Sequence, residues 1–514
     1  MNVVLGLCFI TILLVYVTCA APRTGPTNVL FIAIDDLRPD LGCYKGKDFP
    51  SSDDPRIHSP NIDALARKSL LLKKAYVQQA VCSPSRTSFL TSRRPDTTHV
   101  YDLHTYWRKV SGNFTTLPQY FKNHGRITAG IGKIFHSGFK DDPISWTEPY
   151  NRPDHSSYED GKTSWMFLND SQLANDPLVD DKIAKAAVIA LQDFATGGKY
   201  ANRPFFLGVG FMRPHLPFVS PEAFSHYYPA SSLHLPSNPY APINMPDAAW
   251  WKSPELISYT DISALHFQGQ VNETLPDNKV RELRRAYFSA VSWVDSLVGV
   301  VLNELDRLGL SNNTVVSLLG DHGYQLGEHG MWNKHTNFEL ATHAPMMIRI
   351  PGLTDNGIIT ERVVEFVDLF PTLVDAVGLP SIPVCPENSL NVLTCTEGES
   401  LMPLVHNATA AWKHSAFSQY PRHKHGVDIM GYSLRTDKYR YTEWVEFSYQ
   451  THKPDWTRNH GTELYDHTTD PDENHNVASD LAFADLARSL SNRLHAGWRH
   501  VSPSINNPSP PIVG

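Results

Sequence analysis

Cysteine, charge and long hydrophobic runs are all scarce in this sequence of 514 residues. It has six cysteines, charged residues make up 19% of it, and hydrophobic residues make up 41%. This balance is typical of a globular protein and excludes a chain that is disordered throughout. The formal net charge of −8 argues against a general nucleic-acid binder, because such proteins are basic. The length exceeds what one compact core accommodates and predicts two domains of unequal size.

Beyond the N-terminus, no apolar run is long enough to cross a bilayer. The run Val3–Val17 is followed by the small residues Thr18 and Ala20, which indicates a signal peptide over residues 1–20, although no Lys or Arg precedes the run. The alternative, an uncleaved membrane anchor, is disfavoured because a spanning helix needs about 20 residues. The sequence therefore predicts a lysosomal or secreted protein with no stable membrane anchor.

Glycosylation signals agree with an oxidising, secretory environment. Asn-x-Ser/Thr sequons are acceptors for glycans on the surfaces of secreted proteins. Five are present, beginning at Asn113, Asn169, Asn272, Asn312 and Asn407. Together with the leader they predict a glycoprotein.

Four cysteines remain when the leader is removed. Cys385 and Cys395 enclose a short polar loop and are predicted to form a disulfide, which would stabilise the fold by up to ~3 kcal/mol. Cys43 is most simply a buried small hydrophobic residue. Cys82 is the remaining thiol, and a secreted protein needs a reason to keep it.

Polar residues follow four apolar runs that have the character of buried parallel strands. In chain order the runs are followed by Asp35 and Asp36, by Lys133 and His136, by Arg213 and His215, and by Asp321 and His322. Helical segments lie between the runs, such as residues 59–75 with Ser59 as the predicted N-cap. This alternation predicts a doubly wound α/β sheet, in which ligands bind beyond the carboxyl ends of the strands.

The three aspartates at these strand ends predict a metal site. Taken singly, each polar residue has an ordinary explanation, since an Asp at a strand end caps the next helix and a loop His is solvated. Asp35, Asp36 and Asp321 would repel one another if the fold brought them together, and a divalent cation is the simplest compensation.

The surroundings of Cys82 favour an anion. Ser83 is a predicted N-cap and Pro84 a predicted first helical residue, so the positive end of a helix would face the cysteine. Arg86 lies one turn into that helix and can add charge-assisted hydrogen bonds. The ordinary alternative is a cysteine packed at a helix start.

The segment 82–86, Cys-Ser-Pro-Ser-Arg, resembles the C-x-P-S-R signature of type I sulfatases. Residues 125–136 resemble a second signature of that family, with Arg126 where Tyr or Val is usual. Further similar segments lie at 321–334, 367–372 and 463–478. The resemblance implies an alkaline-phosphatase/sulfatase-like α/β fold, with a large mixed sheet flanked by helices. Strand-like alternation over residues 429–447, followed by turns and a helix-like run over 480–494, predicts a smaller C-terminal α+β subdomain over 421–514 after a catalytic domain over 21–420.

In the family, the signature cysteine is oxidised to formylglycine by a formylglycine-generating enzyme, and the resemblance implies this fate for Cys82. The hydrated aldehyde has two hydroxyls, one to attack sulfur and one whose deprotonation expels sulfate. The resemblance also implies one Ca²⁺ per chain, bound by Asp35, Asp36, Asp321 and His322 and by an oxygen of the modified Cys82. His322 is unusual here, since many sulfatases have Asn and calcium prefers oxygen ligands.

The same resemblance assigns roles to the other polar residues. Arg86 and Lys133 would stabilise the formylglycine, and His136 would be the base of the elimination step. His215 and Lys334 would hold the sulfate ester and assist the departing alkoxide. Lys334 has a competing explanation as a solvated surface lysine.

The implied activity is hydrolysis of sulfate esters in glycosaminoglycans. Segments 78–98, 337–345 and 429–444 resemble family members that act on the 2-O-sulfate of iduronate in heparan and dermatan sulfate. Such a substrate also carries a carboxylate, for which Arg213, His104 and Arg435 are candidate partners. The alternatives are a different sugar specificity, a phosphatase or phosphodiesterase of the superfamily, and an inactive carbohydrate-binding relative.

The two more distant alternatives are disfavoured by the residues present. A phosphodiesterase of the superfamily normally has a Thr or Ser nucleophile beside two metals, whereas this chain has Cys82 within a full signature. An inactive relative would lack part of the polar set, and none of the expected residues is missing.

Overall fold

A computed structural model describes residues 25–44 and 57–501 of the chain. The predicted signal peptide lies outside the described residues. The strands are β1 (Asn28–Ile34), β2 (Leu70–Tyr76), β3 (Ile127–Gly132), β4 (Trp165–Leu168), β5 (Phe205–Phe211), β6 (Phe218–Pro221), β7 (Thr314–Gly320), β8 (Met346–Arg349), β9 (Ile358–Glu365), β10 (Ala416–Lys424), β11 (Val427–Arg435), β12 (Tyr439–Ser448) and β13 (Lys453–Asp466).

Helices connect these strands and cover the sheets. They are α1 (Pro60–Ala66), α2 (Cys82–Thr91), α3 (Pro95–Thr98), α4 (Trp107–Val110), α5 (Leu117–Asn123), α6 (Asp170–Asn175), α7 (Val179–Phe194), α8 (Pro254–Ile257), α9 (Thr260–Ser263), α10 (Asp277–Arg307), α11 (Glu339–Thr342), α12 (Leu369–Ala376), α13 (Met402–His406) and α14 (Ala484–Ala496).

Seven strands form the large sheet, in the order β3-β5-β1-β7-β8-β2-β9. Strand β8 runs antiparallel to both of its neighbours, and the other pairings are parallel, so the sheet is mixed. Along β1, Leu30, Ile32 and Ile34 pack into one hydrophobic core while Val29, Phe31 and Ala33 pack into a second on the opposite face. Burial on both faces explains the continuous apolar run of β1. The predicted α/β fold class is confirmed.

The long helix α10 packs against α7, α1 and β6 on one face of the sheet. By length and composition it is the one helix within the described residues that qualifies as a membrane span, but most of its apolar window is buried. It is therefore a core helix. Its Tyr287 hydroxyl donates to the Asp36 carbonyl at 2.7 Å and accepts from the Arg38 amide at 3.1 Å. This contact fixes the loop that follows β1.

A second, four-stranded antiparallel sheet, β10-β11-β12-β13, lies towards the C-terminus with α14 packed against it. The predicted boundary between residues 420 and 421 falls within β10, and the division into two domains stays a prediction. Cys385 and Cys395 form the predicted disulfide, with Cα atoms 4.9 Å apart. Cys43 is only partly buried, whereas the prediction places it in the interior. It does pack against the hydrophobic core.

Two local predictions are wrong. The helix predicted over residues 59–75 ends at Ala66, and its apolar second half is strand β2. This strand is placed between β8 and β9, whose backbone hydrogen bonds outweigh the local helical pattern. Helix α2, which contains the segment 82–86, starts at Cys82, and its N-cap is Val81 in an extended conformation. The predicted N-cap, Ser83, lies inside the helix.

Candidate active site

Three strands of the large sheet end at the same level. Ile34 is in register with Phe211 on one side and with Gly320 on the other. The Asp35 amide donates to the Phe211 carbonyl, and the Asp321 amide donates to the Ile34 carbonyl. The carboxylates that follow β1 and β7 therefore meet at one edge of the sheet, as the sequence predicts.

Lys133 lies at this edge of the sheet because the backbone after β3 approaches the backbone of β5 closely. Its amide donates to the Gly210 carbonyl at 2.8 Å. A Cβ on Gly210 would lie 2.2 Å from the Lys133 backbone, so only glycine fits there. Gly132 has φ +74° and turns the chain at the end of β3. These two glycines allow the lysine side chain to reach Asp35.

Helix α2 directs its N-terminus at the same edge. All ten of its residues are buried, and the Ser85 hydroxyl donates to the Asp321 carbonyl. Because Cys82 is the first helical residue, its Sγ lies at the positive end of the helix dipole. The predicted electrostatic environment for an anion is therefore present, although the helix starts two residues earlier than predicted.

The predicted metal ligands form one buried cluster. Ligand atoms of Asp35, Cys82, Asp321 and His322 all lie within 4.8 Å of one another. The His322 Nε2 is 3.5 Å from a carboxylate oxygen of Asp36, 3.5 Å from one of Asp321 and 3.4 Å from the Cys82 Sγ. Oxygen ligands that bind Ca²⁺ at 2.3–2.6 Å lie up to about 5 Å apart across the ion. The spacing and the carboxylate donors fit a hard divalent cation.

Three cations surround these carboxylates. Arg86 contacts Asp35 and Asp321, each at 2.9 Å, and Lys133 forms an ion pair with Asp35. Lys334 lies 3.0 Å from an Asp36 oxygen. Lys334 is therefore a buried member of the cluster, and its alternative explanation as a solvated surface lysine is wrong.

The cluster shifts the pKa values of its members in opposite directions. Burial opposes ionisation of Asp35, but Lys133 and Arg86 outweigh it and hold the pKa of Asp35 well below its usual range. Burial and the neighbouring charge of Asp35 raise the pKa of Asp321. A cation bound between the two carboxylates would relieve the repulsion that opposes ionisation of Asp321.

Cys82 is not suited to act as a thiolate. Burial and the negative charge of Asp35 raise the pKa of the Cys82 thiol well above its usual value. A nucleophilic cysteine requires the opposite shift. The raised pKa therefore disfavours a thiolate nucleophile at this position.

His136 is predicted to act as a base. Burial and the charge of Lys133 lower the pKa of His136 to about 3. Its buried Nδ1 has no hydrogen-bond partner within the described residues. One ring nitrogen is therefore free to take part in proton transfer, but a pKa of about 3 makes this imidazole a weak base in the absence of substrate.

Glu255 in α8 joins His215 and Lys334, and the sequence does not predict it. Its carboxylate is 3.2 Å from His215 Nε2 and 3.0 Å from Lys334 Nζ. Burial opposes ionisation of this carboxyl, but Lys334 and His215 lower its pKa. No local motif marks Glu255, because the contact joins three segments that are distant in the chain.

The three residues that are candidates to bind a substrate carboxylate differ in whether a protein carboxylate already occupies them. Arg213 pairs with Glu159 at 2.5 Å, and Arg435 pairs with Glu339 at 2.9 Å. Both arginines are buried and already engaged by a carboxylate. His104 is exposed. Arg213 and Arg435 therefore have structural partners, contrary to their predicted role.

Arg435→Met is expected to lower the free energy of unfolding by about 3 kcal/mol, because it removes one partner of a buried ion pair. The KM for a sulfate ester is expected to stay within about twofold, because substrate binding does not require Arg435. Denaturant unfolding and steady-state kinetics measure the two effects. Arg458→Met removes an exposed arginine and is the control. Unchanged stability with a large rise in KM would instead place Arg435 in the substrate site.

Comparison with known proteins defines the class of this site. The family description "Sulfatase" matches residues 27–379, and "N-sulphoglucosamine sulphohydrolase, C-terminal" matches residues 327–499. The chain belongs to the sulfatase family and is a sulfuric ester hydrolase. Membership supports a sulfated substrate, a metal ion and a formylglycine.

Individual relatives are similar over nearly the full length. The chain is 38% identical to iduronate 2-sulfatase of Mus musculus, over 91% of this chain and 93% of the relative. It is 37% identical to iduronate 2-sulfatase of Homo sapiens, over 92% and 95%. A solved structure in complex with its substrate D-glucosamine-2-N,6-O-disulfate matches with a TM-score of 0.68 at 19% identity, covering 92% of this chain and 97% of that chain. This last likeness concerns the fold alone.

Proposed function

We propose that this chain hydrolyses the 2-O-sulfate of iduronate in heparan and dermatan sulfate. The observation that carries the proposal is the buried cluster of cations and carboxylates around Cys82, in a chain 38% identical to an iduronate 2-sulfatase. A cationic pocket at a helix N-terminus suits a sulfate ester.

Calcium is the metal that the donor set fits best. The carboxylates of Asp35, Asp36 and Asp321 supply hard oxygen ligands, and Ca²⁺ prefers such ligands to the nitrogen and sulfur donors that zinc prefers. His322 would be a fourth ligand and Cys82, after modification, would supply a further oxygen. A bound Ca²⁺ would supply Lewis acidity next to the nucleophile.

Cys82 would be converted to formylglycine by a formylglycine-generating enzyme of the host. The hydrated aldehyde supplies two hydroxyls on one carbon, which neither a thiol nor a serine offers. Arg86 and Lys133, which converge on Asp35 beside Cys82, would stabilise negative charge at this position.

The proposal assigns the proton transfers to His136 and His215. His136, neutral and with a free Nδ1, would accept a proton at that atom. His215 hydrogen-bonds through Nδ1 to the Leu216 carbonyl, which only accepts, so this nitrogen carries hydrogen. Nε2 carries a hydrogen as well only when the ring is the imidazolium, whose charge Glu255 at 3.2 Å would stabilise, and in that form Nε2 would donate its proton to the departing alkoxide. Lys334 would bind a sulfate oxygen.

A secretory route to the lysosome is part of the proposal. All five sequon asparagines are exposed, at Asn113, Asn169, Asn272, Asn312 and Asn407. Exposure is what a glycan acceptor requires. Together with the predicted signal peptide and the disulfide, these positions support a lysosomal or secreted glycoprotein.

The test compares three sulfate esters with the purified, full-length enzyme. The value of kcat/KM is expected to be highest for 2-sulfated iduronate, and at least about 100-fold lower for 6-sulfated glucosamine and for a sulfated phenol, because discrimination of this size needs groups matched to the substrate. Release of sulfate is the measurement. If iduronate sulfate is the poorest substrate, the specificity is wrong even though the sulfatase class stands.

A further inference from the structure

Glu255 places a carboxylate where a sulfate group would bind. Its side chain is 26% exposed, while the side chains of Lys334 and Asp36 beside it are almost completely buried. One oxygen of Glu255 contacts His215 Nε2 at 3.2 Å and the other contacts Lys334 Nζ at 3.0 Å. These are the two donor groups that are proposed to hold the sulfate ester.

The segment that carries Glu255 is fixed to the Lys334 loop. The Ser253 hydroxyl oxygen accepts from the Trp332 amide at 2.9 Å and from the Asn333 side-chain amide at 3.0 Å. Ser253 itself is buried. Because these contacts lie within two residues of both Glu255 and Lys334, the ion pair is held in place by the fold.

The donors of His215 and Lys334 are nearly used up by their protein partners. Nδ1 of His215 donates to the Leu216 carbonyl, and Nε2 lies 3.2 Å from a Glu255 oxygen, where it forms an ion pair when the ring is protonated. The Lys334 ammonium has three hydrogens, and it contacts both Asp36 and Glu255. A sulfate oxygen that binds these donors must therefore compete with the Glu255 carboxylate.

We propose that Glu255 is an internal competitor of sulfate that weakens product binding. This inference rests on the proposed function. A sulfate monoester carries one negative charge and free sulfate carries two, so a fixed carboxylate repels the product about twice as strongly as the substrate. Glu255 thereby opposes retention of sulfate after each turnover, and it is a specificity-determining residue for ligand charge.

The main experiment measures binding of inorganic sulfate to the full-length enzyme by calorimetry. Glu255→Gln is expected to bind sulfate at least about tenfold more tightly than the wild type, because one fixed negative charge is removed. Glu255→Asp keeps the charge and is expected to stay within about threefold of the wild type. The matched control is Glu222→Gln, the same change at an exposed residue of the 3-10 helix Glu222–Tyr227, with unchanged affinity expected.

Kinetics separates this role from a purely structural one. Product inhibition by sulfate is expected to strengthen in Glu255→Gln in parallel with binding, whereas general loosening of the fold would weaken it. Unchanged or weaker sulfate binding in Glu255→Gln, or equal strengthening in Glu222→Gln, would overturn the inference. So would the absence of sulfate binding in every variant.

A measurement on the wild type covers the case in which Glu255→Gln fails to fold. Inhibition by sulfate, a dianion, is compared with inhibition by methyl sulfate, a monoanion. The two inhibition constants are expected to agree within about threefold, because Glu255 offsets the extra charge of the dianion. A dianion preference of about tenfold or more contradicts the inference. Failure of the wild type to hydrolyse sulfated iduronate would count against the proposed substrate and leave these comparisons valid.

Discussion

Cys82→Ser is expected to reduce multiple turnover of sulfate esters by at least about 10⁴-fold, a typical loss when a nucleophile is replaced. The introduced serine has one hydroxyl. It can attack sulfur once and release the alcohol, but no second hydroxyl on that carbon expels the sulfate. The expected product is an enzyme that carries a covalent sulfo group on residue 82. Steady-state assays and intact-mass analysis of the peptide measure the two effects.

Cys43→Ser is the matched control, because it makes the same change at the other free cysteine. Its activity is expected to stay within about twofold of the wild type, since Cys43 lies outside the cluster. Mass analysis of the wild-type peptide should show formylglycine at residue 82. Wild-type turnover by Cys82→Ser, or an unmodified and fully active cysteine in the wild type, would refute the proposed nucleophile.

Asp321→Asn is expected to weaken Ca²⁺ binding by at least about tenfold, because the charge of the ligand set determines affinity. Asp321 also pairs with Arg86 at 2.9 Å, so kcat should fall by about 100-fold as the charges that stabilise the transition state are displaced. Calcium content by mass spectrometry and steady-state rates are the measurements. Exhaustive chelation of the wild type should reproduce the loss of activity.

Asp437→Asn provides the control at an exposed aspartate in the turn between β11 and β12. Both its calcium content and its kcat are expected to match the wild type. If Asp321→Asn and chelation both leave activity unchanged, the acidic cluster has a structural role and holds no functional metal.

The edge of the large sheet was predictable because the signals are local and repeated. Each of the strands β1, β3, β5 and β7 is a continuous apolar run, since both faces of the sheet are buried, and each is followed by polar residues. Parallel strands place such residues at one edge. The convergence of Asp35, Lys133 and Asp321 follows from those two facts.

Strand β2 was not predictable in the same way. Its apolar residues continue the helical pattern of α1, and Leu70–Leu72 fit a buried helix as well as a buried strand. Pairing with β8 and β9 decides the outcome, and these partners lie about 280 residues later in the chain. Local sequence carries no signal of that pairing.

The partners of charged side chains were the least predictable feature. Arg435 was a candidate for substrate binding, but Glu339 and His467 engage it within the C-terminal region. Glu255 has no motif and yet contacts two residues of the candidate site. In both cases the role depends on which distant side chain lies within about 3 Å, and spacing along the chain does not encode that.

The burial of helix α2 bears on when the enzyme matures. Cys82, Ser83, Ser85 and Arg86 are each at most 2% exposed and lie in a helix, so a second enzyme has no access to the thiol in the folded protein. The proposed oxidation of Cys82 to formylglycine would then have to precede folding. Under this proposal, protein that folds before it is modified would stay inactive, and the yield of active enzyme would be set by the rate of modification relative to the rate of folding.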